Sequence, residues 1–224
     1  MKKEKGKVIS IYSPKGGVGK TILSANIAGC SFIMGKKTLL LDADLYNGGL
    51  SLFVNSSIDK TIYTLVKDIK YGKYNSFRDY VYNYNENLDI LCSTKIQLEA
   101  SLIKEKYLEK IINDAKNIYD YIIIDTSSIY SDFNERIFTL SDRILLILTN
   151  DIINIKNMRN IITIFKDIGI NKYKILFNSS YDFKDQYFDY MEMIEMIGAN
   201  IDYTIGKEGF IKNITKYLYL RGNI

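Results

Sequence analysis

Ser13-Pro14-Lys15-Gly16-Gly17-Val18-Gly19-Lys20-Thr21 stands between an apolar stretch at 8–12 and a segment of helical periodicity at 21–34. Strand, glycine-rich turn and helix in that order are the setting of a phosphate-binding loop. Its glycines let backbone N–H groups turn inward around phosphate oxygens, and the helix N-terminus adds a positive dipole. Lys20 is placed to neutralise β- and γ-phosphate charge, and the Thr21 hydroxyl is placed to meet Mg2+. The expected ligand is a nucleoside triphosphate.

Working outward, Gly35-Lys36-Lys37 stops the helix, and 38–41 is an apolar run suited to a strand buried on both faces. The resulting βαβ unit is right-handed. The alternation continues with strands at 88–91, 121–124, 144–148 and 173–177, and helices at 102–118, 152–168 and 188–197, the last ended by Gly198. Leu108, Ile111, Ile112, Ala115 and Ile118 recur at helical spacing and give one buried face. The expected fold is therefore a doubly wound α/β domain with a mostly parallel sheet and helices on both faces. Residues 69–87, rich in Tyr, Asn and charge, read as a helix plus an exposed loop without assigned function. No repeat, linker or low-complexity block divides the chain, so 1–224 reads as a single domain.

Composition agrees. A chain of 224 residues, 47% hydrophobic and 25% charged, can bury one core and is far from the signature of disorder. The net charge of +4 selects no partner. Histidine is absent, which excludes imidazole bases and His-ligated metals, so chemistry falls to carboxylates, lysines, hydroxyls and backbone. Cys30 and Cys92 lie far apart without a C-x-x-C, which fits a reducing cytoplasm and argues against zinc or iron–sulfur binding within one chain. No apolar run approaches the roughly 18 residues of a membrane span, and no signal-peptide core follows Met1. The 19 tyrosines share A/T-rich codons with the abundant Ile, Asn and Lys, so base composition accounts for them.

Two further segments carry carboxylates. Leu39-Leu40-Leu41-Asp42-Ala43-Asp44-Leu45 delivers Asp42 and Asp44 to the sheet edge that bears the glycine-rich loop. There they can hold Mg2+ through water and orient or deprotonate an attacking water. Tyr121-Ile122-Ile123-Ile124-Asp125-Thr126-Ser127-Ser128 ends an apolar strand in Asp125, placed to hold Mg2+ through a water, with a γ-phosphate-sensing switch after it.

With Pro14 where the ordinary loop has its first glycine and an additional Lys15, the loop resembles the deviant KGGxGK[ST] form of the MinD/ParA superfamily of P-loop ATPases. The resemblance spans residues 8–214, although its specific motifs occupy few of them. It implies ATP and Mg2+ as ligands and an ATP-dependent homodimer in which Lys15 reaches across to phosphates. It makes Asp44 the water-activating carboxylate, Asp42 a residue nearer the metal, and Asn178 the side chain that recognises adenine. Ile22 stands where the family commonly has Thr or Ser at the α-phosphate, Ser127 and Ser128 stand where many relatives have proline or glycine, and the proline-containing turn near Ile205-Gly206 is missing. The catalytic candidates are thus Asp44, Lys15 and Lys20. The nucleotide candidates are Lys15, Gly16, Gly17, Val18, Gly19, Lys20, Thr21, Ile22 and Asn178, and the metal candidates are Thr21, Asp42 and Asp125.

Within the superfamily, residues 45–53, 60–62, 125–128 and 140–143 look like the CpaE/TadZ pilus-assembly branch. This implies a slow ATPase switch in the cytoplasm, residing peripherally at the membrane or a cell pole, that engages a partner protein of a polar or membrane-associated assembly. The alternatives are a hydrolysis-deficient nucleotide-binding scaffold and a MinD/ParA-type division or partition protein. A tyrosine kinase and an iron–sulfur electron carrier are less favoured. Phe210, Ile211, Ile214, Tyr217 and Leu218 with Lys212, Lys216 and Arg221 form a basic amphipathic pattern for which domain packing is preferred over a membrane surface. Lys156 and Arg159 leave nucleic-acid binding open but disfavoured.

Overall fold

Residues 5–53, 59–180 and 187–206 are described by the computed structural model. In chain order they form β1 (Lys7–Tyr12), α1 (Lys20–Ile33), β2 (Thr38–Ala43), α2 (Ile62–Lys70), β3 (Tyr82–Asn85), β4 (Leu88–Leu91), α3 (Gln97–Leu102), α4 (Leu108–Lys116), β5 (Tyr121–Thr126), α5 (Asp132–Leu140), β6 (Arg143–Leu148), α6 (Ile152–Asp167), β7 (Tyr173–Asn178), α7 (Tyr190–Ile197) and β8 (Tyr203–Ile205). The eight strands order as β3-β4-β2-β5-β1-β6-β7-β8. Every pairing is parallel except the short edge pair β3–β4.

Side chains alternate across the central strands with a period of two. Val8, Tyr12, Leu39, Leu41, Ile122, Ile124, Ile144 and Leu146 face one core, against apolar positions of α2, α4, α5, α6 and α7. Ile9, Ile11, Leu40, Ile123, Leu145 and Ile147 face the other, where among the described helices α1 packs with Leu23, Ile27, Ala28 and Cys30. The doubly wound α/β fold is therefore as expected. Cys30 and Cys92 are buried thiols, not a disulfide. No described helix is long and apolar enough to cross a membrane.

Several elements depart from the sequence reading. The helix expected over 102–118 is interrupted, because Ile103 (φ −84, ψ 123) and Lys104 (φ −109, ψ 147) adopt extended backbone. That extension turns the Ile103 side chain into the core, while Leu98 and Leu102 on α3 stay exposed. Within 69–87, α2 ends at Lys70, a short 3-10 turn covers Phe77–Tyr80, and Tyr82–Asn85 forms the antiparallel edge strand β3 rather than loop alone. The helix expected over 188–197 begins at Tyr190, two residues later than expected, where Asp189 and Glu192 form a reciprocal capping box; Gly198, at φ 67, ends it as expected. The basic amphipathic pattern at 210–221 lies outside the described residues.

Candidate functional site

The loop between β1 and α1 is built by backbone conformations that favour glycine. Gly17 has φ 74 and Gly19 has φ 94, both left-handed. Gly19 caps α1 without a side-chain hydrogen bond, and the first turn contains no acidic residue, so nothing from the side chains competes for the helix's leading N–H groups. Those groups, with the helix dipole, form an anion cradle. Lys20, 8% exposed, folds back beneath the loop and donates from Nζ to the Lys15 carbonyl at 3.3 Å. Burial pushes its ammonium pKa down, while Asp125 and Asp44 pull it back up. From the end of β7, Asn178 Nδ2 donates to the Val18 carbonyl at 3.0 Å, and its Oδ1 accepts from the hydroxyl and N–H of Ser180. The sequence-predicted base-recognition residue thus braces the loop, its amide engaged at both ends.

Parallel pairing of β2 with β5 makes Asp42 and Asp125 direct register partners, so the two carboxylates read separately from the sequence lie side by side. Asp125 is 1% exposed. Burial pushes its pKa up to about 6, against the lowering pull of hydrogen bonds from Thr21 and Ser24 and of the Lys20 charge. Ser24 Oγ donates to Asp125 Oδ1 at 3.2 Å. Asp42 is fully buried, and burial raises it further, to about 8, although the N–H groups of Asp44 (3.2 Å) and Leu50 (3.0 Å) donate to its oxygens. Gly48 lets the chain after β2 pass over that carboxylate, since a Cβ there would lie 2.7 Å from Asp42 Oδ2. Asp44 is half-buried and close enough to act on the charges of Lys20, Asp42 and Asp125.

Three carboxylates, one hydroxyl and one ammonium under an N–H cradle are the donor set for a polyphosphate with a hard divalent cation. Burial raises the pKa of Asp42 and Asp125 more than their hydrogen bonds and, at Asp125, the Lys20 charge lower it, and Mg2+ would add positive charge beside both. Thr21, Asp125 and Asp42 are the residues that would hold the ion. Among the described residues no group of three or more Asp, Glu, Cys or His side chains could hold a metal unaided, so phosphate oxygens and water would complete its shell.

Lys15, half-buried, pairs with Asp151 at 2.9 Å within the same chain. Burial pushes the Asp151 pKa up, but Thr149, Lys15 and the Asn154 N–H together hold it below the ordinary value. Ile22 is brought to the first turn of α1 but is 61% exposed. With Ala25, Leu40, Tyr84 and Ile90 it lines an open apolar groove of about 440 Å3. Lys156 and Arg159 are solvent-exposed on α6, as expected.

Sequence reasoning missed Asp151, Asn154, Asn134 and Tyr12. Asn154 links Thr149 (2.9 Å) to Ser13 (3.4 Å), and Asn134 clasps the loop after β5. The one available signal was polar residues at helix starts that follow apolar strands, as at Asp151.

A family model described as AAA domain matches residues 6–183. Over 154 residues the chain is 31% identical to the sporulation initiation inhibitor protein Soj of Bacillus subtilis, an alignment covering 63% of this chain and 57% of Soj. The chain therefore spans under two thirds of that relative's length. Among solved structures, it superposes on a ParA family ATPase from Chlorobium tepidum with TM-score 0.82 at 17% identity, over 99% of this chain and 94% of the other. It also superposes on the septum site-determining protein MinD of Pyrococcus horikoshii, complexed with Mg-ADP, with TM-score 0.76 at 22% identity, over 94% and 85%. The chain belongs to this AAA domain family and has the P-loop fold of the MinD and ParA structures it superposes on.

Proposed function

We propose that the chain is an ATP-driven switch: ATP with Mg2+ binds under the loop, two copies close on the nucleotide, the closed dimer engages a partner, and hydrolysis releases it. The observation that carries this reading is one arrangement. Thr21 and Lys20, at the start of α1 where no side chain caps the helix, lie against Asp125 and within electrostatic reach of Asp44.

In this reading Lys20 neutralises phosphate charge and Thr21 with Asp125 and Asp42 holds Mg2+, which supplies charge compensation for the transferring phosphoryl group. Asp44, the least enclosed of the three carboxylates, orients the attacking water and accepts its proton. Lys15 exchanges Asp151 for phosphates bound to the second copy. Asn178 fixes the loop and faces the base side of the nucleotide.

The cargo is proposed at two levels. The MinD-, ParA- and Soj-like relatives support a division or partition protein in the cytoplasm, resident at a pole or membrane surface. The segments at 45–53 and 125–128 support a pilus or secretion assembly. Ser127 and Ser128 favour slow turnover, and in the limit a scaffold without hydrolysis.

Light scattering with and without ATP·Mg2+ tests the switch. The expected result is an ATP-dependent monomer-to-dimer shift that Lys20→Ala and Lys15→Ala remove, with Asp44→Ala trapping the dimer. Unchanged ATPase rates in Lys20→Ala and Asp44→Ala would overturn the site assignment. Confirmed ATP binding with no shift would replace the switch by the scaffold.

A further inference from the structure

The loop that follows β5 is anchored by two buried side chains, and the anchoring is continuous. Asn134, in the first turn of α5 and 1% exposed, donates from Nδ2 to the Ile129 carbonyl (2.7 Å), Ser127 Oγ (3.0 Å) and the Ser127 carbonyl (3.2 Å). Tyr12, fully buried at the end of β1, donates its hydroxyl to the Ser128 carbonyl at 3.3 Å. Its ring packs edge-on against Phe138, centroids 4.9 Å apart. Three successive carbonyls, those of Ser127, Ser128 and Ile129, thus accept from side chains within the protein.

Asn134 Oδ1 is buried with no hydrogen-bond partner. Turning the amide over would pair it less well, because its oxygen would then face two carbonyl oxygens and could accept only from the Ser127 hydroxyl. The donor end therefore stays on the loop and the acceptor end stays unsatisfied, an arrangement that packing of α5 alone does not require. No described peptide is cis. In a trans peptide the N–H opposes the C=O, so drawing these carbonyls inward turns the N–H groups of residues 128–130 the other way. The phosphate loop is adjacent: a Cβ on Gly16 would lie 3.8 Å from Ser128 Oγ.

We propose that Asn134, assisted by Tyr12, is the positioning residue that presets this loop to distinguish a nucleoside triphosphate from a diphosphate. The hydrogen bonds supply a fixed geometry that Ser127 and Ser128 do not impose by their own backbone preferences. The inference rests on the nucleotide-switch reading above.

The test compares ATP·Mg2+ and ADP·Mg2+ affinities by calorimetry, with single-turnover hydrolysis, in the wild-type chain and in Asn134→Asp, Asn134→Ala and Tyr12→Phe. Asn134→Asp keeps the shape and removes the donor. Tyr12→Phe keeps the ring against Phe138. The expected result is that ADP affinity holds while the preference for ATP and the hydrolysis rate each fall about tenfold, less in Tyr12→Phe. A merely structural role would lower the melting point and both affinities together, and that result overturns the proposal. So does an unchanged ATP-to-ADP ratio in a folded variant; if both Asn134 variants fail to fold, Tyr12→Phe decides. Wild-type protein that binds both nucleotides equally overturns this inference and leaves the nucleotide site standing. Wild-type protein that binds neither removes the switch reading and this inference with it.

Discussion

Asp125 and Asp151 are buried carboxylates with pKa shifts of opposite sign, and stability should depend on pH oppositely at each. The folded chain holds the Asp125 proton up to about pH 6, whereas an ordinary Asp releases it near 3.8. Between those values the folded state binds more protons, so stability falls as pH rises, and the cost of ionising this buried group is complete above about 6. Asp125→Asn should raise the unliganded protein's stability at pH 7, on the order of 2 kcal/mol, and flatten urea-midpoint curves between pH 4 and 6. The same variant should lose Mg2+-dependent nucleotide affinity, since a site shaped for a cation is strained without one. Asp151 is held below 3.8, so its contribution is complete above that pH and is lost as pH falls through the depressed value. Asp151→Asn should cost about 1–2 kcal/mol at pH 7, and the difference from wild type should shrink in acid. A difference that grows below pH 4 would contradict the assignment.

At the scale of elements, two glycines separate helix propensity from close approach. A Cβ on Gly29, in α1, meets nothing within 4 Å, so Gly29→Ala should stabilise by about 0.5–1 kcal/mol in thermal melts. On Gly48 a Cβ would collide with Ser93 and with Asp42 Oδ2, so Gly48→Ala should destabilise by about 1–3 kcal/mol and weaken nucleotide binding. Legibility from sequence divides along similar physical lines. The loop at 13–21, the strand ending in Asp42 and the strand ending in Asp125 carried their own signals, because buried parallel strands are apolar runs and phosphate loops need glycine. The edge strand Tyr82–Asn85 alternates Tyr and Asn but lacks an apolar run, and its burial does not follow the alternation, so it did not read as a buried strand. The break at Ile103 and Lys104 has neither proline nor glycine, and tertiary packing of Ile103 overrode a helical pattern. The Lys15–Asp151 pair joins residues far apart in sequence that only the folded sheet brings together, whereas the Asn134 clasp spans five to seven residues and depends on a buried amide that no motif marked.

For the molecule as a whole, the two cores are coupled through the central strands, and Phe138 packs against two rings, Tyr12 at 4.9 Å and Phe165 at 5.2 Å. Phe138→Ala should destabilise the entire fold by about 3–5 kcal/mol in denaturant titration and, by freeing the Tyr12 ring, should loosen the loop after β5 as well. The strand order carries a consequence in time. β1, the first of the described strands, is flanked by β5 and β6, so Lys7 pairs with Tyr121 and Ile9 with Arg143. During synthesis the glycine-rich loop therefore emerges early and stays without its frame until residue 148 has left the ribosome. A nascent chain stalled before Arg143 should retain no nucleotide, while one stalled well past Asn178 should, which would make ligand capture a late event in the birth of the protein.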